Sequence, residues 1–249
     1  MSQHDEAAQL LLAGRTDANK RPGSLPEKLR PQSPEHAYAI QRAISAELGE
    51  IGGWKVGSPH KTGSEFTCAP LPATGVIQSP AELSSVDRGI EAEVAVRLGR
   101  DLPARDQPYT EAEVRAAIAS AHSAIEVLDS RYTDVDAIDP LSNLADSMSH
   151  HSLVVGPAMP NWQNVDLSKE QVRVLVDGTE IKRRVANPAG DMLRLLTWLA
   201  NTGARWAGGL KAGQVVTTGS WTGKEFTDPG AEVRISFANF GDAVVRFTS

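Results

Sequence analysis

Hydrophobic and polar positions alternate along much of the chain after residue 52, and this alternation predicts a series of short strands. The clearest case is "GIEAEVAVRLGRDL" at residues 89–102, where one face of the predicted strand is apolar (Ile90, Ala92, Val94 and Val96). The other runs of this kind are "GWKVG", "TGVIQ", "HSLVVG", "VRVLVDG", "QVVTTGSWTG", "AEVRISF" and "DAVVRFT".

The N-terminal part of the chain has a helical pattern instead. Residues 4–14 and 34–50 place apolar side chains three and four positions apart, and Ser33 is a typical N-cap for the second helix. We therefore predict a helical N-terminal segment over residues 1–50 and a sheet-rich domain over residues 51–249.

Two further helical runs interrupt the predicted strands. "TEAEVRAAIASAHSAIEVL" at 110–128 begins with a capping box of Thr110 and Glu113, and another run begins after Pro188. "LVDGTEI" predicts a hairpin that turns at Asp177–Gly178. Many short strands with few inserted helices indicate an α+β fold built on a mixed, curled β-sheet.

Composition excludes several classes of protein. The 249 residues include 25 Lys and Arg against 31 Asp and Glu, with no basic block, so we expect no nucleic-acid partner. Apolar runs are too short to span a bilayer, and the first residues lack a signal-peptide pattern, so we expect a cytoplasmic protein with no membrane partner. The single cysteine, Cys68, excludes an internal disulfide and a cysteine-built metal site.

An acidic pair lies on the polar face of the first strand described above. Glu91 and Glu93 are two residues apart, so their carboxylates project from the same face and repel each other. Glu126, between Ile125 and Val127 near the end of the predicted 110–128 helix, is a third acid in apolar surroundings. Three converging carboxylates suit a hard divalent cation such as Mg²⁺ or Mn²⁺.

Two other interpretations of the acidic pair stay open on sequence alone. A Glu-x-Glu pattern on a strand is typical of a solvated face. Two carboxylates about 7 Å apart along a strand are also compatible with acid and nucleophile roles in glycoside cleavage. The low aromatic content of 5% argues against a sugar-binding site.

Seven stretches together resemble the fumarylacetoacetate hydrolase superfamily, in its 2-keto-4-pentenoate hydratase and 4-oxalocrotonate decarboxylase branch. They occur in the family's order and are "AYAIQ" (37–41), "GGWKVG" (52–57), "IEAEVAVRLGRDL" (90–102), "AIEVLDSR" (124–131), "NLADSMSHHSLVVG" (143–156), "NPAGDMLRLLTWLAN" (187–201) and "LKAGQVVTTGSWTG" (210–223). The resemblance implies the family's β-roll fold, a divalent cation held by Glu91, Glu93 and Glu126, and a 2-oxo acid substrate.

The activity implied by this resemblance is hydration of a 2-hydroxy-2,4-dienoate such as 2-hydroxypenta-2,4-dienoate. Protonation at C5 and addition of water at C4 would give a 4-hydroxy-2-oxo acid, with the cation as a Lewis acid at the C2 oxygen. The same site suits a 4-oxalocrotonate-type decarboxylase or an acylpyruvate C–C hydrolase, and a catalytically inert partner subunit is the non-enzymatic alternative. We expect a homo-oligomer, alone or in complex with a paralogous decarboxylase or hydratase.

Other site residues are expected from the same resemblance. Lys55, between glycines in "GGWKVG", is predicted to act in proton transfer or anchoring, with a pKa lowered by burial; an exposed strand lysine is the alternative. Arg131 is predicted to pair with Asp129 and so to orient Glu126. The predicted substrate-binding residues are Gln41, Asp146, Ser147, Thr218 and Gly219.

The sequence departs from the resembled branch after the lysine motif. Hydratase relatives have an aspartate there, whereas this chain reads "TCAPLPATGVI" at 67–77. We therefore predict that His60 or Glu65, in the preceding "SPHKTGSEF", supplies the missing proton-transfer group. His150 and His151 are further candidates, with an ordinary core or surface position as the alternative.

Overall fold

The structure is a computed structural model that describes residues 2–58, 66–159, 161–188 and 190–248. The α-helices are α1 (Gln3–Thr16), α2 (Pro34–Leu48), α3 (Glu111–Ala117), α4 (Pro140–Ala145) and α5 (Met192–Trp198). None of the helices in these ranges is long and apolar enough to cross a bilayer. The predictions for His60 and Glu65 lie outside the described residues.

The strands follow one another through most of the chain. They are β1 (Ile51–Gly57), β2 (Thr67–Pro72), β3 (Val76–Gln78), β4 (Ala81–Leu83), β5 (Gly89–Leu98), β6 (Leu102–Pro103), β7 (Ile118–Leu128), β8 (His150–Met159), β9 (Gln171–Val176), β10 (Thr179–Val185), β11 (Gly209–Leu210), β12 (Val215–Thr217), β13 (Glu225–Phe226), β14 (Glu232–Phe237) and β15 (Gly241–Phe247).

Two sheets form most of the molecule, as the predicted α+β fold with a curled mixed sheet requires. The larger sheet has the order β2-β1-β12-β5-β7-β8-β3, with β13 also paired to β5, and contains both parallel and antiparallel neighbours. The second sheet has the order β10-β9-β14-β15-β4. Strands β7 and β8 pack against β14 and β15, so the main core lies between the two sheets.

The alternation along β5 separates two environments. Its apolar face belongs to the main core cluster, as the sequence predicts (Ile90, Ala92, Val94 and Val96). On the opposite face Ala95 belongs to a smaller buried cluster with Ala124 and Val215. Because Glu91 and Glu93 share the parity of Ala95, the acidic pair lies on the face with little apolar core.

The N-terminal helices pack on the segments that flank β7 and β8. Ser33 accepts a hydrogen bond from the His36 amide, which confirms the predicted cap of α2. Helices α1 and α2 share a hydrophobic cluster with Tyr132 and Leu144. The division of the chain into domains at residue 50 stays a prediction.

The predicted helix over 110–128 is wrong in its second half. The capping box of Thr110 and Glu113 does begin a helix, but that helix ends at Ala117, and residues 118–128 form β7. This strand pairs with β5 on one side and β8 on the other, and most of its side chains are buried. A strand buried on both faces has the continuous apolar pattern of a buried helix, so periodicity did not distinguish them.

The predicted hairpin is confirmed. Val176 pairs with Thr179, which leaves a two-residue turn between β9 and β10. Asp177 has φ 48° and Gly178 has φ 79°, the left-handed backbone at both positions that such a turn requires.

Candidate metal centre

The register of β5 and β7 brings the three predicted carboxylates together. Glu91 lies directly opposite Glu126, and Glu93 is two residues further along the same face of β5. One carboxylate oxygen of each glutamate lies within 4.8 Å of one from each of the others. Glu126 thus reaches the cluster from a strand, and not from the helix that the sequence predicts.

Burial makes this cluster unlike a solvated acidic face. Glu93 is 1% exposed and Glu126 is fully buried, whereas Glu91 is half-buried. Burial and the neighbouring carboxylate of Glu126 raise the pKa of Glu91 and raise that of Glu93 well above its usual value. The alternative of a solvent-facing Glu91 and Glu93 pair is therefore wrong for Glu93.

Lys55 on β1 supplies the positive charge in the cluster. Its Nζ lies 2.5 Å from Oε1 of Glu126 and 3.3 Å from the carbonyl oxygen of Met148. Burial opposes ionisation of Glu126, but the Lys55 ammonium and a hydrogen bond from His150 lower its pKa to about 2. His150 lies with Nδ1 3.0 Å from the same Oε1, and burial lowers its own pKa to about 4.

The ionisation of Lys55 differs from the sequence-based expectation. Burial lowers its pKa, as expected, but the carboxylates of Glu126 and Glu91 outweigh this effect and the net shift is upward. Lys55 is 8% exposed, so the alternative of an ordinary exposed strand lysine is wrong. In this arrangement the side chain is a charged ammonium at neutral pH.

The last residue of β12 and the turn that follows it hold the carboxylate of Glu93. The hydroxyl of Thr217 and the amide of Gly219, at 2.9 Å, both donate to Oε2 of Glu93. The hydroxyl of Thr218 instead donates to the carbonyl oxygen of Val94 at 3.0 Å. Thr217 was missed by the sequence analysis; it pairs with Lys55 across β1 and β12, so its side chain shares the face of the cluster.

The predicted pairing of Arg131 with Asp129 is wrong for the side chains. Arg131 makes its ion pair with the fully buried Asp146, and its backbone amide donates to the same carboxylate at 3.1 Å. Asp129 is bound by Arg21 at 2.6 Å and accepts from the Val86 amide at 3.0 Å. The Arg131–Asp146 pair thus joins the two ends of the 131–146 segment, and the Arg21–Asp129 pair anchors the chain just before it.

The remaining predicted substrate residues lie beside this network. The side-chain amide of the buried Gln41 donates to the carbonyl oxygen of Leu144, and Asp146 is occupied by Arg131. Ser147 has φ 52° and begins a turn with left-handed backbone. The roles of Gln41, Asp146, Ser147, Thr218 and Gly219 in substrate binding stay predictions.

The donor set fits a hard divalent cation. Within the described part of the chain the three carboxylates are balanced by Lys55 and, to a smaller extent at Glu91, by Lys224, which leaves excess negative charge in a mostly buried site. Among the described residues Oε2 of Glu126 is buried and has no hydrogen-bond partner, so it is available as a ligand atom. The ligand atoms found among the described residues are all carboxylate oxygens, which are the ligands that Mg²⁺ and Mn²⁺ prefer.

Comparison with known proteins finds relatives over nearly the whole chain. The family model described as "Fumarylacetoacetate (FAA) hydrolase C-terminal" matches residues 42–248. A 2-keto-4-pentenoate hydratase of Burkholderia vietnamiensis is 31% identical over 183 residues, covering 73% of this chain but only 63% of the relative's length.

Solved structures extend the similarity to the fold. A structure of 4-oxalocrotonate decarboxylase from Pseudomonas putida G7, complexed with calcium and acetate, has a TM-score of 0.83 at 23% identity and covers 98% of this chain and 97% of its own. The same enzyme complexed with magnesium and adipate has a TM-score of 0.80 at 22% identity, covering 98% and 97% of the two chains.

Replacing two of the clustered acids should change the stability of the metal-free protein in opposite directions. At pH 7.5, Glu93→Gln should raise the free energy of unfolding by about 1 kcal/mol or more. The pKa of Glu93 is higher in the folded protein than in the unfolded chain, so this carboxyl destabilises the fold at pH values above its unfolded pKa. Glu126→Gln should lower it by about 1–3 kcal/mol, because the buried Lys55 loses its counter-ion.

Urea unfolding in the presence of a chelator measures both changes, with the exposed Glu82→Gln as the unaffected control. The gain from Glu93→Gln should shrink as the pH falls from 7.5 towards 4.5, where the unfolded carboxyl also takes up its proton. Shifts of the same sign in both variants would contradict this electrostatic account.

Proposed function

The chain belongs to the fumarylacetoacetate hydrolase family, and we propose that it is a divalent-metal-dependent hydro-lyase that adds water to a 2-hydroxy-2,4-dienoate to give a 4-hydroxy-2-oxo acid. The observation that carries the proposal is the buried cluster of Glu91, Glu93 and Glu126 with Lys55 at its edge. The names of curated relatives, 2-keto-4-pentenoate hydratases at 25–31% identity, support the reaction class.

Under this proposal Mg²⁺ or Mn²⁺ is held by Glu91, Glu93 and Glu126. The cation would supply Lewis acidity for the carboxylate and C2 oxygens of a small 2-oxo or 2-hydroxydienoic acid. The Thr217 hydroxyl at the end of β12 and the Gly219 amide in the following turn orient Glu93. Both donate to Oε2, so neither occupies Oε1.

Lys55 is the acid we propose for proton transfer. Its carboxylate neighbours keep it charged, so it can donate a proton or hold the substrate's carboxylate. The partners Glu126 and the Met148 carbonyl fix its Nζ from two directions. General acids held in this way contribute about 10²- to 10⁴-fold in rate.

A 4-oxalocrotonate-type decarboxylase is the second candidate. It is favoured by the names of the similar solved structures, and the same cation and lysine would serve it. An acylpyruvate C–C hydrolase and an inert partner subunit are further alternatives. An inert subunit has no need of Lys55 beside three clustered carboxylates. A homo-oligomer, a paralogous partner and a cytoplasmic location stay predictions.

The proposed reaction is tested with protein stripped by a chelator and reloaded with Mg²⁺ or Mn²⁺. Loss of the dienol absorbance of 2-hydroxypenta-2,4-dienoate should require the cation, and NMR should identify 4-hydroxy-2-oxopentanoate. Metal-dependent turnover of 4-oxalocrotonate alone would favour the decarboxylase. Metal binding without turnover of either acid, or of acylpyruvates, would contradict a catalytic role.

Replacing the lysine tests its proposed role as an acid. Lys55→Met should lower kcat about 100-fold or more, because the residue is the ammonium next to the carboxylate cluster. Lys169→Met is the matched control, since the Lys169 side chain is 83% exposed and pairs only with Asp166 among the described ion pairs. Equal kcat values for the two variants would contradict the assignment.

His60 or Glu65 is the predicted replacement for the aspartate that hydratase relatives have after the lysine motif. If His60 or Glu65 replaces it, His60→Ala or Glu65→Ala should lower kcat while leaving Mn²⁺ affinity unchanged, because neither residue belongs to the proposed ligand set. Steady-state kinetics and Mn²⁺ titration measure the two quantities. Wild-type kcat in both variants would show that neither residue takes the role.

A further inference from the structure

The short turn between α4 and β8 has an unusual backbone. Ser147, Met148 and Ser149 have φ values of 52°, 55° and 63°, three successive non-glycine residues in the left-handed region. Such backbone is unfavourable for L-residues and persists only where the surrounding contacts hold it. The contacts made by this turn therefore indicate what it is for.

The turn delivers two groups to the candidate metal centre. The carbonyl oxygen of Met148 accepts from Lys55 Nζ at 3.3 Å, and the ring of His150, the first residue of β8, reaches Glu126. Arg131 and Arg15 hold the backbone carbonyl oxygen of His150 at 2.5 and 3.3 Å, so the start of β8 is fixed from a second side.

The hydrogen bond between His150 and Glu126 has a defined direction. A carboxylate only accepts, so Nδ1 of His150 carries the proton and donates to Oε1 at 3.0 Å. Lys55 donates to the same Oε1 at 2.5 Å. Both donors thus occupy one oxygen of Glu126, while Oε2 is buried without a hydrogen-bond partner among the described residues.

We propose that His150 is a positioning residue of the metal centre. With Lys55 it fixes Oε1 of Glu126, so that the carboxylate presents Oε2 to the cation. This inference rests on the metal site of the proposed function and assigns it a residue outside the ligand set. It also identifies Oε2 as the oxygen by which Glu126 binds the cation.

Packing alone does not account for a histidine at this position. His150 is 1% exposed, and its Nε2 is buried without a partner among the described residues. An apolar ring of similar size would fill the same space without the cost of an unsatisfied nitrogen. The polar ring is explained by the hydrogen bond that its other nitrogen makes to Glu126.

The test is Mn²⁺ affinity, measured by the EPR signal of free Mn²⁺ during titration. His150→Phe keeps the ring but removes the donor, and it should weaken binding about 10- to 100-fold, as loss of a ligand-orienting hydrogen bond does. His150→Asn places an amide N–H near the position of Nδ1, and it should bind within about threefold of wild type. If His150 only fills space, His150→Phe should bind Mn²⁺ more tightly than His150→Asn.

Two further variants complete the design. His151→Phe alters the neighbouring histidine, whose Nδ1 lies 2.9 Å from the Ser152 hydroxyl, and should leave affinity unchanged. His150→Gln is used if the phenylalanine variant does not fold; its amide reaches past the Nδ1 position, so its affinity should fall below that of His150→Asn.

The outcomes separate this inference from the proposed function. Wild-type affinity in His150→Phe, or equal affinity in the asparagine and glutamine variants, would overturn the positioning role while leaving the metal site intact. A wild-type protein that binds no Mn²⁺ would overturn the proposed metal site, and the inference with it.

Discussion

Three carboxylates that converge in a mostly buried site are the constraint on which the rest of the structure depends. Glu91, Glu93 and Glu126 lie close enough to repel one another. Within the described residues Lys55 forms an ion pair with Glu126, and Lys224 adds a smaller attraction at Glu91. Buried charges of one sign are costly unless paired or bound to a cation. The pKa shifts follow from this repulsion and pairing. The pKa of Glu126 is lowered beside Lys55, whereas that of Glu93 is raised by burial and by the neighbouring carboxylates.

The architecture keeps this unfavourable cluster in place by distributing it over neighbouring strands. Strands β5 and β7 set the glutamates opposite each other, and β1 and β12 bring Lys55 and Thr217 to the same face. The opposite face of β5 is part of the main core, so a shift of one residue in register would move the acids into that core. Burial of the apolar face of β5 thus fixes the strand register that places Glu91 opposite Glu126.

Local signals in the sequence predicted much of this site, and non-local pairing explains the rest. Alternation on β5 identifies Glu91 and Glu93, because the period of a strand is visible within one segment. The strand that carries Glu126 resembles a helix in sequence, since its conformation depends on pairing with distant strands on both sides. Thr217 and His150 were not identified as partners of the acids, because only the folded sheet brings them near.

The central claim is that these carboxylates bind one divalent cation. Its most direct test is a crystal structure of the protein with Mn²⁺, using anomalous scattering to locate the metal. The account predicts one strong peak within coordination distance of Glu91, Glu93 and Glu126, with Oε2 as the contacting oxygen of Glu126. A peak elsewhere, or no peak at this site at saturating Mn²⁺, would contradict it.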